Sequence, residues 1–240
     1  MPKIDELKQF FVNNFKPLYQ IMVNCDHGYS DKKNPHHLEG SVWIHTQMVL
    51  DELSYETDNT LLVAALLHDI GKPFTRIEKN GKVLFRNHQN RGVFEAIDIA
   101  AYIQENLAGF KNIQIEHVLN LISLHHIFFD HLQNANRKTP IKLYNKLKGF
   151  DRCFIDRLYK LCVADYKGKI NGESYNSLYN FNQLFSIVND IYSKNTINRD
   201  INYFYFNEVI FNIGIPYSGK NYNSTKLGYT VISRDKLISD

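Results

Sequence analysis

The stretch LLVAALLHDIGKP, residues 61–73, places a histidine and an aspartate at the end of a very apolar segment. Leu61, Ala64 and His68 are spaced i, i+3 and i+7, so they share one face of the helix that this periodicity predicts. The Gly-Lys-Pro that follows is typical of a helix end. We therefore expect His68 to point inward together with the apolar face, and Asp69 to adjoin it.

The apolar periodicity of the rest of the chain is also mainly helical. Asn-Gly between two short apolar-alternating arms predicts one β-hairpin over 74–85. Residues 196–240 are aromatic and β-branched around a glycine-rich loop, which predicts a short β-containing tail. We expect a mainly α protein, divided into a helical body over 1–195 and a tail over 196–240. The predicted helices cover 5–23, 42–55, 60–70, 92–107, 113–125, 140–147, 150–166 and 174–192.

Composition excludes several classes of protein. The 240 residues are 44% hydrophobic and 22% charged, without an apolar run long enough to span a bilayer. The first residues do not form a secretory signal, and three cysteines do not make a disulfide framework. We expect a cytoplasmic protein without a membrane partner. A net charge of +3 permits attraction to phosphates but is too small to indicate a nucleic-acid coat.

Apolar helix faces elsewhere carry further ionisable side chains. Phe154, Leu158, Leu161 and Asp165 are spaced i, i+4, i+7 and i+11, so this carboxylate lies on a face directed to the core. His125 follows Leu121 by four residues, about one helical turn, so it lies on the same apolar face. Burial of such groups without partners costs too much free energy, and no basic residue shares these faces.

A divalent cation satisfies inward imidazoles and carboxylates most economically. The mixed nitrogen and oxygen set suits Mn, Fe, Co, Ni or Zn better than Ca or Mg, and no cysteine is spaced to contribute. The identity of the metal stays open. We interpret His27 and His117, which stand alone in their segments, as surface or internally satisfied histidines.

Five ordered motifs carry a resemblance to a known family: HLEGSVWIHTQMVL, LLHDIGKP, NHQNRGVFEA, ISLHH and CVADYKGK, within 37–169. They resemble the HD superfamily of metal-dependent phosphohydrolases, whose domains are helical bundles. The similarity is closest to the HD modules of bacterial CCA-adding enzymes and of RNA end-healing enzymes. The resemblance implies one or two metal ions. The first would be held by His45, His68, Asp69 and Asp165, and the second would use His88 with His125 or His126.

The resemblance also implies that a water molecule attacks a phosphoester, with Asp69 at the centre of the reaction. Lys72 and Arg91 are placed to neutralise phosphate oxygens, although solvated surface cations explain them as well. His37 and Glu39 fit the HLEG motif and would shuttle a proton or hold the substrate. A capping role for that loop is an equal alternative.

The tail contains Gly214, Gly219 and Lys220 after a β-like run, the setting of a phosphate-binding loop. With VISRD at 231–235, it resembles the opening of polynucleotide 5′-kinases. Asn221 stands where that loop carries Ser or Thr, and the tail is far too short for a kinase domain. We predict that it does not transfer phosphate.

The two resemblances together favour RNA ends as the substrate. The leading hypothesis is hydrolysis of a 2′,3′-cyclic phosphate or a 2′-phosphate, with a kinase or ligase as a partner in RNA repair. One alternative is a nucleotide phosphohydrolase that acts on mononucleotides, cyclic nucleotides or alarmones. Another is a metal-stabilised binding module without catalysis.

Overall fold

The structure is a computed structural model that describes residues 2–28, 37–133, 138–170, 182–190 and 193. Residues 108–110 form a single 3-10 turn. The helices and strands are α1 (Pro2–Asn14), α2 (Lys16–Asn24), α3 (Val42–Glu52), α4 (Asn59–Leu67), α5 (Lys72–Thr75), β1 (Arg76–Lys79), β2 (Lys82–Phe85), α6 (His88–Asn106), α7 (Ile115–Leu124), α8 (Ile127–Gln133), α9 (Thr139–Leu147) and α10 (Arg152–Lys167).

The centre of the bundle is α4, in which every residue is buried. Helices α3, α6, α7 and α10 pack against it. Its N-cap is Asp58, whose carboxylate accepts from the backbone N–H groups of Thr60 and Leu61. Because α4 is enclosed on all sides, the residues that follow its last turn are delivered into the core instead of to solvent.

The predicted hairpin is present but begins later than expected. Strands β1 and β2 pair antiparallel, with Arg76 opposite Phe85 and Lys79 opposite Lys82. Asn80 and Gly81 have φ values of 53° and 69°, and two positive φ values are what a type I′ turn requires. The mainly α fold class, a helical bundle with one small hairpin, is confirmed for the described residues.

The helices differ from the sequence prediction in several places: α6 begins at His88 instead of Gly92, and α5 was not predicted. The single helix expected over 5–23 is divided at Phe15, because Pro17 lies in the first turn of α2 and lacks the N–H that a continuous helix needs. Helix α8 was not predicted, since nothing in the sequence marks a new helix start after His126.

The predicted helix over 174–192 is described only at 182–190, which is helical. The tail over 196–240, with its expected β structure and the 195/196 boundary, lies outside the described residues. Within those residues, none of the helices has the length and apolarity that a membrane crossing requires.

Candidate metal centre

Three separate helices bring four ionisable side chains to one buried point beside the end of α4. His68 is the C-cap of α4 and Asp69 follows it, while α3 contributes His45 and α10 contributes Asp165. All four side chains are buried. The faces predicted from i, i+3 and i+4 spacing therefore point to the core, as the sequence indicated.

In the first half of the cluster, His45 and His68 approach one oxygen of Asp69. Nε2 of His45 is 3.4 Å and Nε2 of His68 is 3.3 Å from Asp69 Oδ2. The two nitrogens are 3.3 Å apart, and His45 Nε2 is also 3.1 Å from Asp165 Oδ1. Two imidazoles and two carboxylates thus share one small volume.

The second half of the cluster lies on the other oxygen of the same aspartate. His88, the first residue of α6, and His125, the C-cap of α7, place their Nε2 atoms 3.4 Å and 3.7 Å from Asp69 Oδ1. These two nitrogens are 3.3 Å apart. Asp69 therefore lies between two pairs of histidines.

The backbone fixes which ring nitrogen of each histidine faces the cluster. In each case Nδ1 donates to a carbonyl oxygen close by, which leaves Nε2 as the atom directed at Asp69. The donor and acceptor pairs are His45 with Gly168 at 3.1 Å, His68 with Ala65 at 2.8 Å, His88 with Phe85 at 2.8 Å and His125 with Ile122 at 2.7 Å.

Without a cation, the contact between the Nε2 atoms of His88 and His125 is unfavourable, because neither nitrogen carries a proton. Burial lowers the pKa of His88 to about 4 and holds the pKa of His125 well below its usual value. With Nδ1 protonated in both rings, two unprotonated Nε2 lone pairs face each other. Both oxygens of Asp69 also lack a hydrogen bond among the described residues, although they are buried. Divalent ions satisfy all of these atoms at once.

The pKa of His45 is shifted in the opposite direction from those of His88 and His125. Burial opposes the charged form of His45, but its hydrogen bonds with Asp165 and Glu39 outweigh that effect and raise its pKa to about 9. Burial also opposes ionisation of Asp165, yet the same hydrogen bond keeps the pKa of this carboxyl well below its ordinary value. The carboxylates around His45 thus favour positive charge at this position.

Comparison with protein families agrees with this geometry. A sequence model described as "HD domain" matches residues 40–166, more than half of the chain. The chain belongs to the HD domain family. Its members are metal-dependent phosphohydrolases that bind divalent metal ions, so the chain is an enzyme of this class. No match was found among curated proteins.

A buried lysine adjoins the histidine and aspartate cluster of this HD domain. Lys72 is 3% exposed, and its Nζ is 2.6 Å from Asp69 Oδ2 and 3.2 Å from His27 Nε2. This short ion pair places the Lys72 ammonium against the oxygen of Asp69 that also faces His45 and His68. Burial opposes ionisation of Asp69, but Lys72 and His68 hold its pKa well below the ordinary value.

A second chain of contacts supports His45 from behind. Glu39 Oε1 is 2.7 Å from His37 Nδ1 and 3.1 Å from His45 Nδ1, and Glu39 Oε2 accepts from the backbone N–H of Ile170. Hydrogen bonds from the two histidines outweigh the effect of burial and lower the pKa of Glu39. This carboxylate holds the ring of His45 in the orientation that directs Nε2 to Asp69.

Sequence reasoning missed His27. It is fully buried, stacks on His37 with ring centroids 4.5 Å apart, and accepts a hydrogen bond from Lys72 at Nε2 while Nδ1 donates to the Gly40 carbonyl. Burial and the nearby charge of Lys72 lower its pKa to about 2, so it is neutral. No spacing signal connects it to Lys72, because the two residues meet only in the fold.

Two predicted residues lie at the edge of the cluster. The ring of His126 is 4.9 Å from that of His88 and 4.5 Å from that of His125, and its pKa is lowered by burial. The guanidinium of Arg91 forms an ion pair with Glu95 on the exposed side of α6. Gly214, Gly219 and Lys220 lie outside the described residues.

Proposed function

We propose that this HD domain hydrolyses the 2′,3′-cyclic phosphate or the 2′-phosphate at the end of an RNA strand. The observation that carries the proposal is the arrangement of four imidazole Nε2 atoms in two pairs on the two oxygens of Asp69. Hydrolysis of the cyclic ester adds one water across a P–O bond and leaves a phosphomonoester beside a free hydroxyl.

The proposed ligands divide between two ions. His45, His68, Asp69 and Asp165 would hold the first, and Asp69 with His88 and His125 would hold the second, with His126 beside it. Ions bound there supply positive charge to phosphoryl oxygens and lower the pKa of water to near neutrality.

The remaining site residues act on orientation and charge. The Lys72 ammonium, which lies between Asp69 and neutral His27, provides positive charge at the edge of the cluster. Glu39 orients His45, and His37 lies where it can pass a proton to Glu39 over 2.7 Å. Arg91 stays a proposed phosphate contact, which requires it to leave Glu95.

Support for RNA ends comes from the sequence. The motifs within 37–169 resemble HD modules that act on RNA ends, and the tail over 196–240 resembles the start of a polynucleotide kinase. We regard 1–195 as the catalytic body and the tail over 196–240 as a partial kinase-like segment without phosphotransfer. A healed end with a free 3′-hydroxyl is the kind of end that a ligase partner would join, and a kinase partner would phosphorylate the 5′-hydroxyl of the end to be joined to it.

The test is turnover of single-stranded RNA ending in a 2′,3′-cyclic phosphate, a 2′-phosphate or a 3′-phosphate, with the protein loaded in turn with Mn, Fe, Co, Ni and Zn. Asp165→Asn should abolish turnover, whereas Asp156→Asn, on the exposed side of the same helix, should not. Metal-loaded protein that hydrolyses none of these ends would refute the proposal.

The same assay separates the alternative substrates. Mononucleotides, cyclic nucleotides and alarmones are offered at equal concentrations, and the values of kcat/KM are compared with those for RNA ends. A kcat/KM for mononucleotides far above that for RNA ends would assign the domain to nucleotide hydrolysis. Bound metal without turnover of any phosphoester would indicate a binding module.

A further inference from the structure

Two exposed phenyl rings enclose the guanidinium of Arg91. The guanidinium carbon lies 4.7 Å from the ring centroid of Phe74 and 5.2 Å from that of Phe94. Phe94 is 69% exposed and Phe74 is 42% exposed. Single exposed apolar side chains are ordinary, but exposed apolar side chains that lie together often mark a binding site.

This Phe74–Arg91–Phe94 stack begins where the buried cluster ends. Arg91 and Phe94 follow His88 by one and two steps of three residues on α6, a spacing at which neighbouring side chains lie about 5–6 Å apart at Cβ. Phe74 lies on α5, two residues after Lys72. The path along these residues leads from the metal centre to solvent.

The hairpin between α5 and α6 carries an excess of positive charge. Residues 76–86 contain one acidic side chain, Glu78, and four basic ones, Arg76, Lys79, Lys82 and Arg86, all of them exposed. Their net charge equals the +3 of the whole chain. The hairpin, which directly follows Phe74 in the chain, therefore carries as much net positive charge as the whole protein.

We propose that the Phe74–Arg91–Phe94 stack binds a nucleobase of a single-stranded nucleic acid whose end enters the metal centre, while the hairpin cations hold its phosphates. Single-stranded nucleic acids are bound by aromatic rings and Arg planes that stack on bases, combined with cations along the backbone. Both features occur here side by side. The inference rests on the proposed function for the position of the strand end, but base binding can be measured without turnover.

The experiment measures binding of the metal-loaded full chain to labelled single-stranded RNA with a 3′-hydroxyl end. Such an end has no terminal phosphate for the proposed reaction to remove. A second strand of equal length carries abasic residues in place of its terminal bases. Phe94→Ala should weaken binding of the normal strand about tenfold and leave binding of the abasic strand unchanged. Phe94→Trp should restore affinity, since the larger ring also stacks.

Two further variants serve as controls. Ile97→Ala removes another exposed apolar side chain of α6, which is 44% exposed, and should not change binding. Lys79→Ala combined with Lys82→Ala should weaken both strands equally and reduce the dependence of affinity on salt. Equal losses for Phe94→Ala and Ile97→Ala, or equal losses of Phe94→Ala on both strands, would overturn the base-stacking proposal. So would unchanged affinity in Phe94→Ala.

The two proposals fail separately. Base-dependent binding that needs Phe94, in a protein that hydrolyses no RNA end, would refute the proposed function and support the stack. Hydrolysis of RNA ends that is equally efficient in Phe94→Ala, with unchanged strand affinity, would support the function and refute the stack.

Discussion

Gly71 lies directly against the backbone of His88. A Cβ added at Gly71 would overlap the His88 carbonyl oxygen and stand 2.5 Å from the backbone nitrogen of Gly92. The loop that carries His68 and Asp69 is therefore pressed onto the first turn of α6. This contact sets the spacing between the two pairs of histidines.

Gly71→Ala should separate these two backbones. Because the obstructing atoms belong to the backbone and cannot rotate away, we expect a loss of about 1–3 kcal/mol in unfolding free energy. We expect kcat/KM to fall by more than this loss of stability explains, because the two pairs of histidines would move apart. Gly109→Ala is the matched control, since a Cβ at Gly109 meets no atom within 4 Å. Thermal unfolding and kcat/KM check both variants. Equal stability of the two variants would contradict the contact.

Asp69→Asn should abolish metal binding, because the variant removes the charge shared by both pairs of histidines. In the wild-type protein, an ion at 100 times its Kd should stabilise the fold by about 2.7 kcal/mol, or raise Tm by about 5–10 °C. The variant should lack this shift, and elemental analysis should find no ion. Asp98→Asn, an exposed position on α6, should behave as wild type. Metal retained by Asp69→Asn would contradict the proposed role of Asp69 as a ligand between the two pairs of histidines.

Lys72→Ala should lower kcat/KM about 10²–10³-fold, because the buried ammonium adjoins Asp69 and no other lysine approaches that carboxylate among the described residues. Lys220→Ala, in the kinase-like tail, should leave hydrolysis almost unchanged. Steady-state kinetics on the same RNA end check both. An essential Lys220 would show that the tail takes part in hydrolysis.

Glu39→Gln should lower metal affinity or activity about 10–100-fold without removing any proposed ligand. The amide keeps the shape of the side chain but loses the charge that orients His45. Glu116→Gln, exposed on α7, is the control. Metal titration followed by kinetics distinguishes a positioning role from a ligand, because a ligand variant would not bind the ion at all.

The cysteines offer a test of burial. Burial raises the pKa of Cys25 to about 11 and raises the pKa of Cys162 well above its usual value. Only the thiolate is nucleophilic, so both should stay unreactive until the pH approaches these values. At pH 8 a thiol reagent should modify exposed Cys153 alone, and all three after unfolding. Cys153→Ser should remove the rapid reaction, and rapid modification of Cys25 would contradict its packing.

Much of the site was predictable because helices have a fixed period. Asp165 lies four residues beyond a buried leucine, and His68 lies on the face of Leu61 and Ala64, so their burial followed from spacing. Helical spacing does not predict the contact between His27 and Lys72, because His27 lies in a connection before α3 and the two residues are 45 positions apart in the chain. The Arg91–Glu95 ion pair does follow the i, i+4 spacing, but the predicted helix began at Gly92 and so left Arg91 outside it.

The sequence by itself determined the helical class, the hairpin at Asn80–Gly81 and the inward histidines and carboxylates, because these depend on local periodicity and turn chemistry. Only the tertiary structure decided that Asp69 lies between two pairs of imidazoles and that Lys72 is buried beside it. Distances between residues far apart in the chain depend on how helices pack, and packing is a property of the whole core.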